Sequence, residues 1–135
     1  MANLLILFGF AWMVVAAIIG LLLARRRELV KIELEKMAVK GDLTEYHRLD
    51  LIYKWNKTVH SHAMLFSVVA VSVGLAMERM NYPEMVIKAL AWALMIAAIV
   101  WTIGGLRSNR WLMLIGDVAL LGSMVATVVG LAKAM

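Results

Sequence analysis

The chain has no cysteine and a single proline among its 135 residues, and only 17% of those residues are charged. Without thiols it forms no disulfide and offers no thiolate to zinc or to an iron–sulfur cluster. With Pro83 alone, long stretches run free of helix breakers. The shortage of charge is matched by a hydrophobic content of 64% and a mean hydropathy of +0.85. Water-soluble domains carry about 45–50% apolar and about 25% charged residues, so the composition argues against a soluble globule and for an integral membrane protein. No Ser–His–Asp set, phosphate-binding glycine loop, zinc helix or pair of intramembrane carboxylates can be assembled, which disfavours an autonomous hydrolase or NTPase.

Four windows are long enough to cross a hydrocarbon core, which takes about 20 mainly apolar residues. They are residues 4–24, 59–77, 85–106 and 111–132. A segment in lipid must satisfy its own backbone hydrogen bonds, and none of the four alternates as a barrel strand does, so each is expected to be helical. The expected fold is therefore all-α, an integral membrane four-helix bundle in a single domain. Pro83 and Glu84 suit the first turn of the third helix, and Ser108 and Asn109 are capping candidates in a very short link to the fourth. Small residues recur four apart at Ala16, Gly20 and Ala24, at Gly122, Ala126 and Gly130, and at Ala70 and Gly74. Such ridges let membrane helices approach closely, within one chain or between copies in a homo-oligomer or larger complex.

Residues 25–58 differ, mixing nine basic and six acidic residues with scattered aliphatics. Gly41 reads as a helix stop and Asp42-Leu-Thr-Glu45 as a capping-box-like restart. This predicts a helical hairpin outside the lipid between helices one and two, with arms about 24 Å long at 1.5 Å per residue that continue the first two membrane helices. It serves as a solvated spacer or as a docking surface for a cytoplasmic partner. The net charge of +5 and pI near 9.8 come from Lys and Arg beside apolar segments, with no basic face on a soluble scaffold, so nucleic acid is not an expected partner. Eleven of the fourteen fall on the hairpin side and three on the other, which places the hairpin in the cytoplasm and both termini outside a plasma (inner) membrane. The first apolar run is too long for a signal peptide and is expected to remain as an anchor.

Asp117 is the most informative side chain, because an acid inside a membrane helix costs about 2.5–3.5 kcal/mol at the centre and should face protein. It lies about 9 Å into its helix at 1.5 Å per residue, shallow enough to pair with Arg107, Arg110 or a base on another helix, or else to form a proton, ion or cofactor site. His60 and His62 begin the second membrane helix at the same depth. Two residues apart they diverge by about 200°, so both cannot face one interior. His62, on a stripe with Leu65, Phe66, Val69 and Val73, is the inward candidate, and His60 looks interfacial or capping. An imidazole in a membrane bundle ligates haem or metal, bonds a quinone oxygen, relays protons or bonds a neighbouring helix. Met77, Met80 and Met85 cluster around the outer turn as a weaker candidate for Cu(I). Among five tryptophans, Trp55 and Trp111 sit at expected boundaries, and Trp12, Trp92 and Trp101 fall deeper as bundle filler or cavity lining.

The segment His60-Ser-His-Ala-Met-Leu-Phe66, continuing to Gly74, resembles the His-x-His-x-x-x-Phe opening of haem-bearing helices in small membrane cytochrome-like proteins and the haem–copper oxidase group. The resemblance spans about fifteen residues and implies His62, or His60, as an axial ligand of haem b. A second imidazole is missing from helices one, three and four. The remaining partners are His62 of another protomer, His47 folding back, or Met113 at similar depth. The combined expectation is a small membrane subunit of an electron-transfer complex, contacting haem b or a quinone through His62, His60, Asp117 and Met113. The alternatives are a cofactor-free scaffold or accessory subunit, and a small oligomeric transporter or channel with Asp117 on its pathway.

Overall fold

The computed structural model describes all residues, Met1–Met135, and is built from helices alone. In chain order these are α1 (Ala2–Lys40), α2 (Leu43–Ala76), a single 3-10 turn (Met77–Arg79), α3 (Glu84–Leu106) and α4 (Arg110–Ala132). All four α-helices are long and apolar enough to cross a membrane.

Local chemistry sets the ends. Gly41 takes the left-handed conformation at φ 72°, and the N–H groups of Gly41 and Asp42 bond back to the carbonyls of Ala38 and Met37, the pairing that closes a helix on glycine. The Asp42 carboxylate then accepts the Glu45 N–H and opens α2. One turn on, Arg48 bonds both Glu45 oxygens and holds that carboxyl below its ordinary range. The support this gives α2 is present at neutral pH and is lost as pH falls through the lowered value.

Pro83 is not within α3 but immediately before it, and its carbonyl accepts the Val86 and Ile87 N–H groups. Between α3 and α4 the same back-bonding recurs without glycine. Asn109 N–H reaches Gly104 O at 2.7 Å, Ser108 N–H reaches Gly105 O, and Ser108 itself sits at φ 54°. Of the two capping candidates, Asn109 is the cap, its side-chain oxygen accepting the Trp111 and Leu112 N–H groups.

The helices pack in sequence order more than as a closed square. α1 lies antiparallel along α2 and touches α3 only lightly, while α4 packs on α3 with a smaller contact to α2. α2 is therefore covered on two opposite sides. The α1–α2 seam is close because small residues face bulky ones. A methyl group on Gly9 would meet Val71 and the Ser67 carbonyl, one on Gly74 would meet Ile6, and one on Gly20 would meet the His60 ring. The central core between α2, α3 and α4 holds Val59, Phe66, Leu94 and Trp101, all nearly inaccessible. At the far end, Tyr82 lies over Gly130, donates to the Ala126 carbonyl at 3.0 Å, and has Lys133 above its ring.

Two substitutions test this packing by equilibrium unfolding in detergent. Gly9→Ala should destabilise by about 1–3 kcal/mol, because its methyl meets backbone as well as side chain. Ser108→Gly should stabilise by about 0.5–1 kcal/mol, since the left-handed conformation costs a Cβ-bearing residue more than the glycine loses in chain entropy.

Candidate functional site

The two histidines of α2 occupy opposite faces, and both faces are covered. His62, half-buried, turns to α3 and stacks on Trp101 with ring centroids 4.5 Å apart and planes 4° from parallel. Its Nδ1 lies 3.1 Å from the Thr58 carbonyl one turn back. His60 turns to α1, its ring resting on Gly20 and its Nδ1 lying 3.1 Å from the Ala16 carbonyl. His60 is thus neither a helix cap nor merely interfacial, but an interhelical bond.

A carbonyl only accepts, so in each neutral ring Nδ1 carries the proton and Nε2 keeps a free lone pair. Imidazole ligands of metals are commonly held this way, with the second nitrogen donating to a backbone carbonyl that fixes tautomer and orientation. Because one ring meets α1 and the other meets α3, the two cannot ligate the same iron. A single chain supplies at most one imidazole to a shared centre.

Trp101 is the hub of this region. Its indole is 1% exposed, with His62 on one side, Phe66 tilted against it at 6.1 Å, and α4 at its back, where Gly116 leaves no room for a methyl group. Its Nε1 has no acceptor, and neither do Trp12 Nε1, Thr102 Oγ1 and Asn56 Nδ2. Asp117 follows Gly116 and is half-buried. It makes no hydrogen bond to His62, and the ion pairs of the chain are Glu45–Arg48, Asp50–Lys54 and Glu84–Lys88, so the expected pairing with Arg107 or Arg110 is not made. Met113 lies against Gly104 in the α3–α4 hairpin, apart from the α1 side where His60 sits. His47 is exposed near the start of α2.

Three sequence expectations are displaced. Met77 and Met80 are buried in the core while Met85 is 81% exposed, so they do not form an exposed thioether cluster. Trp92, read as filler, is 54% exposed on the outer face of α3. Leu65 leaves the expected inward stripe, whereas Phe66, Val69 and Val73 stay on it. No three His, Asp or Glu side chains gather at one point.

One region escaped sequence reasoning. At the end of the bundle nearest the α1–α2 hairpin, α1 and α3 part over α2 and leave a crevice of about 420 Å³. Trp55 forms part of its wall and donates to the Gly105 carbonyl at 3.0 Å, tying α2 to α3 there. The Gly104-Gly105 pair was the available signal, since two glycines at a helix end announce close approach. Comparison with protein-family models, curated proteins and solved structures returns no match.

The stacked pair makes a direct prediction. His62→Ala should lower stability by about 0.5–1.5 kcal/mol beyond the loss of buried area, and His62→Phe should restore most of it, measured by thermal unfolding in detergent.

Proposed function

We propose that this protein is a small multi-pass membrane subunit of an electron-transfer assembly, contacting a quinol or haem b through His62. The observation that carries the reading is the preset imidazole. Its Nδ1 is spent on the Thr58 carbonyl, its plane is fixed by Trp101, and Nε2 is left as an acceptor. An unprotonated Nε2 accepts a quinol hydroxyl without further help from this chain. For haem b this chain would supply only one imidazole, and a partner subunit or a second copy would supply the other protein ligand. The buried Trp101 N–H, with no acceptor of its own, adds a donor in the same neighbourhood. Bound there, the cofactor would carry the electrons while the chain orients it and keeps water away.

A cofactor-free scaffold is the second reading, favoured by His60, whose ring and Nδ1 join α2 to α1. The two readings part on one variant. His62→Phe keeps the stack on Trp101 but has no nitrogen. Native material extracted in mild detergent should show a Soret band or a solvent-extractable quinone in stoichiometric amount, lost in His62→Phe while partner subunits still co-purify. A colourless, quinone-free wild type that brings down the same partners would replace the redox reading with the scaffold.

The proposed placement has the hairpin in the cytoplasm and both termini outside. The cysteine-free chain makes this easy to test. Val39→Cys, at an exposed position of the hairpin tip, should be shielded from an impermeant thiol reagent in intact cells, and Ala134→Cys should react. The reverse pattern would invert the topology.

A further inference from the structure

We infer that the crevice at the hairpin end is a binding site for the phosphate group of an anionic phospholipid. Its wall carries Arg26 from α1 and Arg110 from α4, together with Ser108, and no acidic residue. The second observation is Asn56. This side chain lines the crevice, is 7% exposed, and has an amide Nδ2 without any hydrogen-bond partner. A buried donor left unpaired costs about 1–3 kcal/mol, and an anionic oxygen entering the crevice would meet it. The remaining wall is apolar, with Leu23, Leu51, Ile52, Val59 and Leu106. Two guanidinium groups and an amide donor beside aliphatic side chains match a ligand that is anionic at one end and greasy at the other.

Size and position agree. About 420 Å³ lies within the range of small-molecule sites, roughly 300–1,000 Å³. The crevice opens where all four membrane-length helices reach the basic end of the chain, the level at which lipid phosphates lie and basic pockets between helices take anionic headgroups. Arginine suits phosphate, because its planar fork donates two parallel bonds to two oxygens. The inference rests on the membrane placement proposed above but not on the redox reading, since neither His60 nor His62 lines the crevice.

The test uses the full chain in phosphatidylcholine nanodiscs, with and without phosphatidylglycerol, and in phosphatidylcholine nanodiscs with inorganic phosphate in the buffer. Phosphatidylglycerol should raise the unfolding midpoint by several degrees and remain bound at one molecule per chain in native mass spectrometry. Arg26→Gln with Arg110→Gln should weaken the apparent lipid affinity at least tenfold while leaving helicity and elution volume unchanged. Asn56→Asp, which puts a carboxylate where the anion would sit, should abolish retention; because this reads bound lipid directly, it stands even if the double variant folds poorly. Equal midpoints in the two lipids, or retention that survives all three substitutions, would overturn the site. Equal protection by inorganic phosphate alone would overturn the lipid assignment in favour of a soluble anion. Loss of the chain from membranes on carbonate washing would instead remove the membrane placement itself, a failure separate from that of the site.

Discussion

Three helices meet at Trp101. The indole fills the space between α2 and α4 only because Gly116 gives up its side chain on one side and His62 lies flat on the other. In lipid there is no hydrophobic drive to hold helices together, so shape must do it, and a large flat ring against a bare backbone is an efficient shape pair. The same logic recurs along the α1–α2 seam at Gly9, Gly20 and Gly74, and at Gly130 beneath Tyr82. Each glycine is paired with one larger side chain from the facing element. These contacts decide where the site residues stand. His60 reaches the Ala16 carbonyl because Gly20 lets its ring in, and His62 takes its plane from the stack on buried Trp101.

Polar groups in the spans follow a second economy. Ser67 and Thr127 donate to the carbonyls of Ala63 and Ser123 one turn back, and His62 does likewise to Thr58. Such bonds satisfy a buried donor without needing a partner helix. The groups that break this pattern are therefore conspicuous. They are the indole N–H groups of Trp12 and Trp101, the Thr102 hydroxyl and the Asn56 amide, of which the Trp101 N–H lies beside the stacked imidazole and the Asn56 amide in the crevice. Unpaired donors of this kind are rare in native interiors, and each calls for an explanation.

The all-helical class and the helix ends were legible from the sequence, because span length, Gly41, Asp42 and Asn109 act locally. Which face of each helix meets which neighbour was not. In a soluble helix, apolar residues mark the inside, but here the exposed positions are equally apolar. Leu21, Leu22, Leu121 and Val125 are all exposed, and nothing in their chemistry separates them from buried Leu5 or Leu94. Trp92 was misplaced for that reason. The place of His60 is hidden for another: α2 is flanked on two sides and buries opposite faces, so there is no single interior for a stripe to mark. The crevice combines residues from α1, α2, α3, the following turn and α4, so no single stretch of sequence displays it.

α1 and α2 run 39 and 34 residues without a proline, about 58 Å and 51 Å at 1.5 Å per residue, against a hydrocarbon thickness of about 30 Å. They are joined at one tight turn, and glycines bring them close over the half away from that turn, at Gly9, Gly20 and Gly74. Neither helix contains a break at which the hairpin could swing independently of the seam where His60 meets Ala16. Mechanically, the first half of this molecule is a stiff oar whose blade and handle lie on opposite sides of its rowlock.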